Sequence, residues 1–107
     1  MPYMIETFDR PSTLDLRAAT RDAHLAFLDA HKHLLIACGA KLDEAGNAAG
    51  GGLYVVALES RAEAEAFIAA DPFHQAGLFE RVVIHRWRKA YVDGICHLND
   101  APPQVTP

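Results

Sequence analysis

Acid/base chemistry needs a titratable side chain held by a second group, and two stretches of this 107-residue sequence supply such groups. The first, LDLRAATRDAHLAFL, carries Arg17, Arg21 and His24. The second, ADPFHQAGL, places Asp71 directly before Pro72 at the exit of an Ala/Glu-rich segment. A carboxylate is badly placed there for stability alone, because the carbonyl end of a helix carries partial negative charge. Proline ends the helix and biases the residue before it toward extended backbone, but it does not require that residue to be Asp. Asp71 therefore has two readings. It caps a short helical turn opening at Pro72, or its carboxylate accepts the Nδ1 proton of His24 and leaves Nε2 free as a general base. Both can hold in one structure.

The first stretch reads as helix, and at ~100° per residue its side chains sort into sectors. Leu14, Ala18 and Leu25 form one apolar stripe, and Leu16, Ala23 and Phe27 form a second. Arg17, Arg21, His24 and Leu28 fall between them. Arginines four residues apart on a helix repel each other, so a negative group is expected beside them. Either Asp71 supplies it, or Arg17 and Arg21 hold an anionic ligand such as a carboxylate or phenolate.

The remaining polar residues are weaker prospects. His74 follows Asp71 closely enough to line the same pocket, although solvent exposure is the plainer reading. Tyr3 offers a phenol to a ligand or, more simply, packs in the core. His85 alternates with Val83 and Trp87, which points to packing between sheets. His31-Lys32-His33 has no acid or cysteine cluster beside it, so its histidines read as helix-end residues and no metal site is assigned. Gly50-Gly51-Gly52 precedes a strand instead of a helix, which removes the amide nest of a phosphate site and leaves a flexible loop over the pocket. No nucleophile motif is present, and nothing calls for a cofactor.

Positioning these side chains requires a frame, and the chain supplies one in a clear order. Tyr3 to Phe8 predicts a strand, and Ser12 or Thr13 offers an N-cap for a helix running to about His33. Residues 34–38 predict a second strand. KLDEAGNAAGGG predicts a loop, and Leu53 to Leu58 a third strand. Ser60-Arg61-Ala62-Glu63 is a capping box opening a second helix to about Ala70. A short turn of helix within ADPFHQAGL and a last strand from Phe79 to about Tyr91 complete the domain. The order β-α-β-β-α-β predicts an α+β, ferredoxin-like fold, with two helices over one face of a four-stranded antiparallel sheet. Val82 and Ile84 point one way and Val83 and Trp87 the other, so the uncovered face also wants burial. A homodimer with the two sheets face to face is expected on that ground.

Composition bounds the rest. The chain reads as one domain over residues 1–95 and a flexible tail over 96–107, whose LNDAPPQVTP stretch is proline-rich. Half the residues are hydrophobic and 22% are charged, a globular balance. A net charge of −4 gives no basic stripe for nucleic acid. No apolar run suits a membrane span and no signal peptide opens the chain, so a cytoplasmic protein is expected. Cys38 and Cys96 then read as free thiols, with Cys38 buried.

LDLRAATRDAHLAFL together with AADPFHQAGLFERVVIHRWRKAY resembles the YciI-like family of YCII-related domains. The similarity covers roughly residues 1–91, and its more specific part is the pattern A-D-P-[FY]-x-x-x-G-[LV]. This resemblance implies a dimeric α+β barrel with an active site built from His24 and Asp71; at least one relative is a dehydrochlorinase of a hydroxyquinol. Two departures bear on the pocket's shape: the turn HKHLL is short, and Gly39-Ala40 stands where Gly-Pro is frequent. The expected function is a small, cofactor-independent enzyme in which His24 moves a proton, Asp71 orients it, and Arg17 or Arg21 holds an anionic molecule, with aromatic and enol-type compounds among the candidates. The alternative is a non-catalytic metabolite-binding or regulatory module on the same fold.

Overall fold

Alternation along the first strand sets the two sides of the molecule. In the structure, a computed structural model that describes residues 1–99, β1 (Tyr3–Asp9) buries Tyr3, Ile5 and Thr7 on one face. It is followed by α1 (Leu14–Ala30), β2 (Leu35–Leu42), β3 (Ala48–Val56), α2 (Arg61–Ala69), α3 (Pro72–Gln75) and β4 (Phe79–Arg86). The strands pair in the order β2-β3-β1-β4, all antiparallel, which is the expected ferredoxin-like sheet. In register, Ile5 lies opposite Tyr54 and Ile84, and Thr7 opposite Gly52 and Val82. This face meets Ala64, Phe67 and Ile68 of α2 and Phe73 of α3 in one core. Full burial of side chains such as Ile5, Val56, Leu78 and Phe73 contributes about 1.5–3 kcal/mol each.

The two long helices are held differently. At α2, Ser60 accepts from the Glu63 amide at 3.1 Å while Glu63 accepts from the Ser60 amide at 3.1 Å, the expected capping box. Thr13 occupies the N-cap position of α1, but its hydroxyl donates to the Arg10 carbonyl at 2.6 Å instead of capping the helix. No residue of α1 is fully buried. Of its large hydrophobic residues, Leu16, Phe27 and Leu28 pack against the core, while Leu14 and Leu25 stay exposed.

Several boundaries differ from the sequence expectation. The helix expected to reach His33 stops at Ala30, and a 3₁₀ turn covers Lys32–Leu34. The loop expected over residues 41–52 shrinks to residues 43–47, where the Asp43 carboxylate accepts from the amides of Ala45 and Asn47. Gly50-Gly51-Gly52 is therefore part of β3 and not a flexible loop. The glycines permit close strand approach: Gly51 has φ +152°, and a Cβ there would collide with the Thr7 carbonyl. The last strand ends at Arg86, five residues early, and a small hairpin follows, β5 (Tyr91–Val92) with β6 (Ile95–Cys96). Its turn is Asp93-Gly94, both at positive φ, a turn that matches strand twist. The proline-rich part of the tail lies outside the described residues.

Among the described residues no helix lies on the sheet's second face. Met4, Phe8, Val55 and Val83 lie there, and His85, opposite Met4 in register, is exposed. Phe8 is capped by cations, with Lys41 Nζ 3.7 Å and Arg81 Cζ 4.0 Å from its ring centre. Lys41 also pairs with Glu6 at 2.9 Å. Among the described residues no helix is long and apolar enough to cross a membrane.

Gly51→Ala should destabilise the fold by roughly 2–4 kcal/mol, from strained backbone and overpacking together. Gly39→Ala, with nothing within 4 Å of its Cβ, should stay within about 0.5 kcal/mol of the parent. Urea unfolding of the two variants measures both, and equal stabilities would contradict the close strand approach at Gly51.

Candidate active site

The junction between α2 and α3 creates the site's central group. α2 ends because Pro72 cannot continue it, and Asp71 adopts extended backbone at φ −65° and ψ 129°. Pro72 then opens α3, and Asp71 Oδ1 accepts from the Phe73 amide at 2.9 Å as the cap. The Asp71 side chain is 0% exposed. A carboxylate so placed needs donors on both oxygens. His24 of α1 supplies one, with Nδ1 at 2.9 Å from Oδ1 and 3.0 Å from Oδ2. Tyr54 of β3 supplies another, its hydroxyl donating to Oδ2 at 2.7 Å. The cap and the His24 contact thus coexist on one carboxylate.

The imidazole is fixed on its flat side as well. It stacks on Phe73 with ring centres 3.9 Å apart and planes 14° from parallel, and it meets Tyr54 edge-on at 6.3 Å. A carboxylate only accepts, so Nδ1, which faces it, is the ring nitrogen that donates. Nε2 makes no hydrogen bond among the described residues. Burial first, and then the charge of Asp71 and the bond to it, push the Tyr54 phenol well above its ordinary 10.0. Tyr54 is consequently a proton donor to Asp71 and not a phenolate base.

His24 lies on a cleft of about 230 Å³ between α1 and the β2–β3 side of the sheet. Arg17, Arg21, Leu25 and Leu28 form the helix wall. Cys38, Gly39, Ala40 and Gly52 form a floor of small residues, with Tyr54 and Phe73 at the inner end. The cleft exists because α1 is not packed flush on the sheet. Cys38, expected in the core, is exposed instead, because β2 is an edge strand and Cys38 sits on it beside this cleft.

The two arginines separate. Arg17 Nε donates to Asp9 Oδ2 at 2.8 Å and a second guanidine nitrogen to Oδ1 at 3.4 Å, with both side chains largely buried. Arg17 also lies over Phe73, 4.7 Å from its ring centre. The acid that answers Arg17 is therefore Asp9 and not Asp71. Arg21 is exposed and has no ion pair or hydrogen bond among the described residues. Tyr3 and His74 are not brought to the cleft: Tyr3 is a core residue, and His74 is exposed on α3 with its ring 6.1 Å from Phe79. No three His, Cys, Asp or Glu side chains gather as a metal site among the described residues.

Asp9 and Tyr54 are the residues of this arrangement that sequence reasoning missed. Asp9 reads as a strand terminator. Tyr54 alternates with Gly52 and Val56, which marks a strand face but not what stands over it.

The chain has relatives. The family model described as YCII-related domain matches residues 1–88. An uncharacterized protein of Haemophilus influenzae is 34% identical over 98 residues, covering 85% of this chain and all of that protein. Among solved structures, 5-chloro-2-hydroxyhydroquinone dehydrochlorinase (TftG) from Burkholderia phenoliruptrix AC1100, in complex with 2,5-dihydroxybenzoquinone, superposes with a TM-score of 0.77. The two share 32% identity over 82% of this chain and 94% of that one.

Cys38 reports on the cleft's electrostatics. Cys38 is exposed as a residue, but its place on the cleft partly shields the thiol from water, and this desolvation, then the charge of Asp71, push it from an ordinary 9.0 to about 11. Because the folded value lies above the unfolded one, its contribution to stability is present below pH 9.0 and lost as pH rises through about 11. In a Cys96→Ser background, alkylation of Cys38 by iodoacetamide should reach half its limiting rate near pH 11, and Asp71→Asn should lower that midpoint. A midpoint at 9.0 in the folded protein would refute this account.

Proposed function

Because this chain belongs to the YCII-related domain family, we propose that its cleft is the active site of a small, cofactor-independent enzyme that moves protons on an anionic enol or phenol. The supporting observation is the His24–Asp71 pair, with His24 held through Nδ1 and Nε2 left unbonded beside the cleft. In this reading His24 is the proton carrier and Asp71 holds its ring and offsets the charge that forms on it. Arg21, exposed on the cleft and unpaired among the described residues, holds the substrate oxyanion. Arg17, tied to Asp9, sets the cleft's outer end.

Size supports a single ring. A cavity of about 150 Å³ holds benzene, so about 230 Å³ accommodates a ring with a few substituents. The likeness to a 5-chloro-2-hydroxyhydroquinone dehydrochlorinase suggests a halogenated hydroquinone as the starting class. The chemistry balances without an oxidant. His24 takes a proton from one ring hydroxyl and returns it to the halogen-bearing carbon. Halide then departs as a second hydroxyl loses its proton, giving a quinone and one equivalent of hydrogen halide.

Chlorinated hydroquinones should be turned over by the wild type with halide release. His24→Ala should lower kcat by about 10²–10⁴-fold with little change in KM, and Arg21→Gln should chiefly raise KM. If the wild type binds such compounds without turnover, and Arg21→Gln abolishes the binding, the metabolite-binding module is the correct reading.

The proposal includes a second copy of the chain on the open sheet face, whose Met4, Phe8 and Val83 have no helix over them among the described residues. Light scattering after size exclusion should give twice the chain mass at micromolar concentration, and replacing Val83 with Glu should shift it toward monomer. A monomeric wild type would remove the dimer.

A further inference from the structure

We propose that Tyr54 is a positioning residue of this site: its hydroxyl fixes the plane of the Asp71 carboxylate, and through it the tautomer and tilt of His24. The inference rests on reading His24 as the proton carrier. Asp71 hangs on two side-chain torsions, and nothing in its own backbone sets the carboxylate plane. The Phe73 amide fixes Oδ1 at 2.9 Å. One pinned oxygen still allows the other to swing. Tyr54 pins Oδ2 at 2.7 Å, from a strand whose position the sheet determines. His24 Nδ1 then meets both oxygens at nearly equal distance, 2.9 and 3.0 Å, which only a fixed carboxylate plane presents.

Tyr54 does this with its only proton. The hydroxyl is committed to Asp71, so Tyr54 donates nothing to a ligand in the cleft although its ring lines the inner end. Its effect on the reaction passes through Asp71 and His24. That separates it from Arg21, which lines the cleft itself and in the proposed function holds the substrate oxyanion.

The test is Tyr54→Phe, which keeps the ring against His24 and Phe67 and removes only the oxygen. Long-range proton–nitrogen correlation of the histidine rings requires no substrate. It should show a single Nδ1–H tautomer for His24 in the wild type and a mixture in the folded variant. On a compound that the wild type turns over, kcat should fall about 10–100-fold, the usual cost of removing a partner that orients a histidine, while KM changes less than about twofold. In a His24→Ala background the same change should alter the residual rate less than about twofold, because the group it positions is gone. If Tyr54→Phe fails to fold, 3-fluorotyrosine at position 54 keeps ring and hydroxyl but donates more strongly, and the His24 ring signals should move. Unchanged ring signals in the folded variant, or an additive fall in the His24→Ala background, would overturn the role of Tyr54. Altered ring signals without any turnover would uphold that role while removing the catalytic reading of His24.

Discussion

The site depends on one buried carboxylate. Asp71 is 0% exposed, and a carboxylate without partners in such a place costs several kcal/mol. It is satisfied by donors from three elements: the first turn of α3 through Phe73, α1 through His24, and β3 through Tyr54. A fixed point therefore joins the helix junction, the first helix and the sheet. Breaking any one of these contacts leaves a buried oxygen underbonded, so the three elements are coupled through chemistry as well as through packing.

That coupling explains how α1 stands over the sheet without a close-packed interface. None of its residues is fully buried, so hydrophobic contact alone is a weak locator. Two polar ties compensate, His24 to Asp71 along the helix and Arg17 to Asp9 nearer its start. Between and beside these ties the helix leaves a gap over the edge strand β2 and its neighbour β3, where Gly39, Ala40 and Gly52 carry little or no side chain. The cleft is thus a product of small residues on the strands and of a helix held at its polar points.

The same constraint separates residues that look alike in sequence. Arg17 and Arg21 share one sector of α1, yet Arg17 reaches Asp9 at the end of β1 and is largely buried, while Arg21 stays exposed. The repulsion that the spacing implied is relieved by an acid at the end of a strand. Cys38 shows the converse. Its apolar run suggested burial, but β2 is an edge strand, and an edge strand's side chains are covered only where a helix or a partner lies over them.

Local chemistry made much of this protein legible from its residues. The order of elements followed from hydrophobic period, the capping box at Ser60 from the Glu three residues on, and the break at Asp71-Pro72 from a ring that removes an amide proton. His24 and Asp71 were visible as a misplaced acid and a basic helix sector. Other features needed the third dimension. Gly50-Gly51-Gly52 resembles a loop in composition, and pairing with the neighbouring strands, Gly51 opposite Phe8 and Gly52 opposite Thr7 and Ala40, makes it strand. Asp93-Gly94 is a hairpin turn whose flanking strands, two residues each, are too short to show an alternation in sequence. Tyr54 and Asp9 carry no local signal of their partners, which packing sets: alternation tells that Tyr54 faces a helix layer, but which polar atom waits there depends on where α1 and the α2–α3 junction come to rest. Sequence determined the elements and the group that had to be satisfied; the packing of those elements decided which neighbours satisfy it.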